Sequence, residues 1–111
     1  MSIPDEYFKA GSIASEIRAE IRRMVHVGSR LLDICSGVED MIRDRGGEPA
    51  FPCNVCVNSV AAHYTSMKDD TSVVEDGDLV KVDFGVHVNG YLVDTAMTIS
   101  FNPLRICLNP L

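Results

Sequence analysis

From Pro4 to about Met24, apolar residues recur at helical spacing: Tyr7, Phe8, Ala10, Ala14, Ile17, Ile21 and Met24. Arg18, Glu20, Arg22 and Arg23 fill the other side, so this stretch predicts an amphipathic helix with one stripe on a core. Val27-Gly28 interrupts it. Ser29 is placed to cap a second helix, whose apolar stripe is Leu31, Leu32, Cys35, Val38, Met41 and Ile42. Gly46-Gly47 supplies the left-handed backbone on which such a helix ends. The periodicity then changes. GGEPAFPCN, with two prolines three apart, predicts an extended and turn-rich connection. Asn54 to Val60 alternates like a short strand, and the polar run from Ala61 to Leu79 reads as a loop or a poorly paired strand. Leu79–Val88 and Tyr91–Phe101 are rich in β-branched and aromatic residues and flank Asn89-Gly90, the preferred pair for a two-residue type I′ turn. The expected fold is α+β, with two helices packed on an antiparallel sheet that ends in a C-terminal hairpin.

The hairpin carries an anomaly. Asp83 and Asp94 sit among Val, Phe, Tyr, Leu, Met and Ile, where carboxylates are poor strand residues and costly to bury. Taking Asn89 and Gly90 as the loop fixes the register: Val88 faces Tyr91, Val86 faces Val93, Gly85 faces Asp94 and Asp83 faces Ala96. Opposed residues share a face, so Asp83, Gly85, Asp94, Ala96 and Thr98 fall on one side. Val82, Phe84, Val86, Val88, Tyr91, Val93, Met97 and Ile99 make an apolar surface on the other, ready to receive the helices. The two aspartates become diagonal neighbours, with Cα atoms about 7–8 Å apart. Beside them stand Gly85 and Ala96, the smallest residues available. Two like charges this close repel, and no Lys or Arg stands between them, since Lys81 lies further along the strand. A divalent metal bound through oxygen would relieve the conflict. A solvated open face, or a metal-free acid–base dyad, are the other readings of the same pattern.

Composition narrows the classes. With 111 residues the chain is long enough for one small domain, and 46% hydrophobic and 23% charged residues are ordinary for a globular protein. A net charge of −6 gives nucleic-acid binding no support. MSIPDEYFKAGSIAS lacks the basic and apolar regions of a signal peptide, and no run approaches bilayer-spanning length, which makes a cytoplasmic location the expectation. Cys35, Cys53, Cys56 and Cys107 are irregularly spaced and read as free thiols. Cys53 and Cys56 have CxxC spacing, but no second CxxC or His pair completes a zinc site.

The stretch DFGVHVNGYLVDTAMT resembles the metal-binding hairpin of methionine aminopeptidases, members of the pita-bread metallopeptidase fold. GGEPAFPCN and AAHYT are similar to two further signatures of that family, closest to its type II branch in archaea and the eukaryotic cytosol. The prolidase and aminopeptidase P group shares the Asp-x-Gly…Gly-Tyr…Asp hairpin, but EPAFPCN and Asp94-Thr95-Ala96 fit methionine aminopeptidase better. The resemblance, from about Lys9 to Phe101, implies the N-terminal half of a pita-bread domain. It implies that Asp83 and Asp94 are metal ligands, with Asp94 bridging two divalent ions (Co, Mn, Fe, Zn or Ni). It further implies that His63 is the active-site histidine contacting the scissile amide, and that Phe51 helps to line the methionine pocket. Without the family, His63 is a lone histidine between alanines and tyrosine, and Phe51 an ordinary core aromatic. His87 shares the aspartate face, but the family's ligand set does not use that position. The implied reaction is hydrolytic removal of the initiator methionine from nascent polypeptides, near the ribosome, with no membrane and no direct nucleic-acid partner.

The family's site also uses a histidine and two glutamates from the second half of the domain, whereas Asp94 is the last acidic residue here. Residues 1–111 are therefore expected to form a single partial domain, with 102–111 a divergent tail arising from truncation or a frameshift. On its own such a chain is expected to be inactive. A non-catalytic pita-bread protein that binds ribosomes or RNA, or a domain that regulates the full enzyme, is the rival class.

Overall fold

The computed structural model describes residues 4–58 and 72–101, together with the backbone of residues 60–63. Helix α1 spans Asp5–Met24 and helix α2 spans Leu31–Asp44. Asp5 and Glu6 in the first turn of α1, and Arg22 and Arg23 in its last, complement the helix dipole. Its buried stripe is Ala10, Ile13, Ala14, Ile17 and Ile21, while Tyr7 and Phe8, expected on that stripe, are exposed. Ser29 does not cap α2. Its hydroxyl accepts from the His26 N–H (3.0 Å) and reaches the Met24 carbonyl (3.4 Å), which closes the turn between the helices, and Arg30 occupies the N-cap position without making a side-chain cap bond to the helix.

Among the described residues five strands follow: β1 (Glu48–Pro49), β2 (Asn54–Val57), β3 (Val60–His63), β4 (Leu79–Val88) and β5 (Tyr91–Ser100). All pairings are antiparallel. β5 runs along one side of β4; β1 and β2 lie end to end along the other side, with β3 outside β2. The hairpin register is the one the Asn-Gly turn demands, including Gly85 opposite Asp94 and Asp83 opposite Ala96. Asn89 (φ 50°) and Gly90 (φ 87°) both take the left-handed conformation of a type I′ turn.

Two strand expectations need correction. The run Asn54–Val60 is not one strand: Asn58 takes φ 57° and the chain doubles back, so that Val57 faces Val60. The connection GGEPAFPCN is not wholly unpaired either, because Glu48 and Pro49 pair with His87 and Val86. The segment 64–71, the tail 102–111 and Cys107 lie outside the described residues.

The helices cover one face of the sheet, α1 over β4 and β5 and α2 over β1 and β2. Val80, Val82, Phe84 and Val86 are buried beneath them, together with Val55, Ile17, Ile21, Ile34, Val38 and Ile42. Tyr91, at the hairpin tip, is exposed although its register puts it on the apolar side. No helix of the described residues is long and apolar enough to cross a membrane.

Candidate metal centre

The opposite face of the sheet holds the residues singled out for chemistry. Asp83 is half-buried and Asp94 exposed, and they stand diagonally across the β4–β5 ladder. Asn54 is level with Asp83 on one side, and His63 is level with Asn54 on the next strand, so these residues form one row across three strands. That places the His63 backbone about two strand spacings, roughly 10 Å, from that of Asp83. The His63 side chain lies outside the described residues.

Phe51 reaches this region through an irregularity in the strand edge. Pro49 pairs with Val86 and Asn54 with Asp83, so the residues Ala50 to Cys53 are set against only Phe84 and Gly85. The surplus bulges outward, as extra residues in one strand must. Two bonds pin it: the Ala50 N–H donates to the Gly85 carbonyl (2.9 Å), and the Cys53 N–H donates to the Glu39 carboxylate on α2 (2.9 Å). Pro49 and Pro52, which cannot donate, are tolerated in such an edge. The bulge sets Phe51 over Gly85. A β-carbon at Gly85 would come within 2.6 Å of the Phe51 ring edge and 2.8 Å of an Asp94 carboxylate oxygen. Phe51 also borders a surface hollow of about 390 Å³, but Glu39, Arg43 and Glu48 line it too, which suits an apolar ligand poorly.

Sequence reasoning missed two participants. The Asn54 side-chain oxygen is buried without a hydrogen-bond partner among the described residues, in the row occupied by Asp83. A buried acceptor left unpaired is costly, so a ligand supplying a cation or a donor would satisfy it. Only the β2–β4 register could have revealed this, because Asn54 and Cys56 alternate unremarkably in the sequence. The second is Arg18, whose guanidinium donates to the Thr95 hydroxyl (2.6 Å) and the Ala96 carbonyl (3.0 Å), holding the backbone next to Asp94.

The remaining candidates separate from the site. Among the described residues His87, on the same face, has its Nδ1 buried without a partner, and no group of three His, Cys, Asp or Glu side chains is gathered closely enough to hold a metal. The CxxC pair is split: Cys53 is buried against α2, where the Cys35 thiol contacts its carbonyl (3.4 Å), whereas Cys56 is half-buried and level with Lys81. The neighbouring Cys35 thiol, through a hydrogen bond, and then burial push the Cys53 thiol far above its ordinary range, so it stays protonated. Two carboxylates on one face, with a bare glycine between them, are oxygen donors of the type a hard divalent cation takes.

The model of metallopeptidase family M24 matches residues 5–107. This chain belongs to metallopeptidase family M24. Its M24 relatives include the methionine aminopeptidase of Methanothermobacter thermautotrophicus, 50% identical over 95 residues, which cover 86% of this chain and 32% of that protein. The methionine aminopeptidase of Thermococcus onnurineus is 50% identical over 90 residues, covering 81% of this chain and 30% of that protein. This M24 chain thus spans about a third of the length of such relatives. Among solved structures, the methionine aminopeptidase of Thermotoga maritima superposes with a TM-score of 0.75 at 26% identity, covering 91% of this chain and 44% of that one. The prolidase of Pyrococcus furiosus gives 0.71 at 25% identity, covering 86% and 30%. The two helices on an antiparallel sheet are thereby part of the pita-bread fold of M24 proteins.

Proposed function

We propose that this chain carries one half of a methionine aminopeptidase site, whose reaction is hydrolytic removal of the N-terminal methionine from polypeptides. The observation that supports this reading best is the placement of Asp83 and Asp94 diagonally across Gly85, on the face that the helices leave open. In this reading Asp83 and Asp94 would hold the divalent metal. When bound, such ions lower the pKa of water and stabilise the oxyanion formed at the scissile carbonyl. Phe51 contributes an apolar wall for the methionine side chain. His63 would contact the scissile amide, for which the row His63–Asn54–Asp83 is a suitable base. The Asn54 oxygen would accept from a polar hydrogen of the bound peptide. The substrates would be nascent chains in the cytoplasm.

The 111-residue chain should bind divalent metal weakly, because two carboxylates supply only a small share of the roughly six to eight oxygen ligands such an ion can take. Calorimetric titration with Mn²⁺ tests this. A weak, saturable heat is expected from the wild type and none from Asp94→Ala, and equal binding by both would remove the basis of the proposal. With added Mn²⁺ or Co²⁺, no turnover of a Met-Ala-Ser peptide is expected from the chain alone. Robust turnover would show that the ligand set is sufficient as it stands.

A further inference from the structure

Gly85 is not a glycine for conformational reasons. The left-handed glycines among the described residues are Gly28, Gly46, Gly77 and Gly90, whereas Gly85 sits in extended strand in the middle of β4. Glycine in a strand interior weakens the strand, so its presence there needs another reason, such as close approach of another group. The approach here is threefold. A β-carbon at this position would lie 2.6 Å from the Phe51 ring edge, 2.8 Å from Asp94 Oδ1 and 2.9 Å from the Ala50 β-carbon. All three are closer than carbon tolerates. One of the three is the carboxylate proposed to bind metal, and another is the ring proposed to recognise the substrate side chain.

We propose that Gly85 is a positioning residue for Asp94: its bare α-carbon is the floor on which the Phe51 ring and the Asp94 carboxylate rest side by side. The proposal deepens the metal-site reading and rests on it. The bulge from Ala50 to Cys53 brings the ring in from the β1–β2 side, and β5 brings the carboxylate in from the other. The ring edge therefore limits how far the carboxylate can swing along the strand, and the carboxylate limits the ring in turn. A side chain pressing on Phe51 would be felt at Asp94, which links substrate recognition to metal geometry without any intervening residue. The Ala50 N–H bond to the Gly85 carbonyl (2.9 Å) keeps the floor and the bulge in register.

The test uses the full chain, with Mn²⁺ as the only ligand and two readouts. In calorimetry, Gly85→Ala should weaken Mn²⁺ binding by about 10- to 100-fold, the range typical of lost support around a metal ligand. Phe51→Ala inserts nothing and opens space, so it should fold normally; it should weaken binding less, and Gly85→Ala/Phe51→Ala should bind better than Gly85→Ala alone. In the metal-free chain, the NMR signal of the ¹³C-labelled Asp94 carboxyl should shift in both single variants. Thermal unfolding checks that each variant is folded. If Asp94→Ala abolishes Mn²⁺ binding while Gly85→Ala leaves it unchanged, the positioning role is overturned and the metal site stands. If Asp94→Ala binds as well as the wild type, the metal reading falls and this proposal falls with it. An Asp94 carboxyl signal indifferent to Phe51→Ala also overturns the coupling.

Discussion

Cys53 illustrates how one residue's chemistry is set by its neighbours. Buried beside the Cys35 thiol, with its backbone N–H given to Glu39, it is held protonated well beyond the range of an ordinary thiol, 9.0. A group that keeps its proton more tightly when folded supports the fold fully below its unfolded pKa, and this support is lost as pH rises above it. The chain should therefore lose stability as pH climbs past 9.0, less steeply in Cys53→Ala, as followed by thermal unfolding across a pH series. The same protonation makes Cys53 a poor nucleophile, since the thiolate is the reactive form. Iodoacetamide at neutral pH should modify Cys56 and spare Cys53 in the folded chain. Mass spectrometry of the digested product reads this directly, and Cys53 labelled as fast as Cys56 would contradict the burial.

At the level of elements, the turn between β2 and β3 is tied to the start of β4 by a small polar bracket. The Asn58 N–H donates to the Leu79 carbonyl (2.7 Å), while its side-chain oxygen accepts from the Leu79 N–H (3.0 Å). Its amide nitrogen donates to Asp78 (3.3 Å), whose other oxygen accepts from the Glu75 N–H (2.8 Å). Asp78 is the only buried charged side chain among the described residues, so removing it strands several partners. Asp78→Ala should destabilise the chain by about 1–3 kcal/mol in urea unfolding, against little change for the exposed Asp76. This bracket also explains what a linear reading could not give. The β4–β5 register was legible because Asn89-Gly90 is a local signal with one geometric solution, and it carried the Asp83–Asp94 pair with it. Asn58 turns the chain without a following glycine, supported by residues about twenty positions away, so the run through Val60 resembled one strand. Glu48-Pro49 was hidden in the same way, since proline argues against pairing unless it sits on an edge. Phe51 over Gly85 depends on the mismatch between those two pairings, which no single stretch of sequence contains.

Across the whole molecule, protection should follow the layering. β4 is flanked by strands on both sides and covered by helices on one face, whereas β5 is paired along one side only among the described residues. In hydrogen exchange, the amides of Val80, Val82, Phe84 and Val86 should be the slowest, and those of β5 that alternate away from β4 should exchange much sooner. Equal protection along both edges of β5 would mean that another strand covers it in solution.

Arg18 gives that open edge a particular character. The alternation of the ladder, counted from the closing Val88–Tyr91 pair, turns the Ala96 carbonyl away from β4, and the Arg18 guanidinium already occupies it (3.0 Å). A bare ten-residue edge would be a template for any passing strand. With a charged group drawn from α1 across its middle, the edge is blunted at Ala96. A strand adding there has to displace the Arg18 hydrogen bond before it can pair with that part of β5.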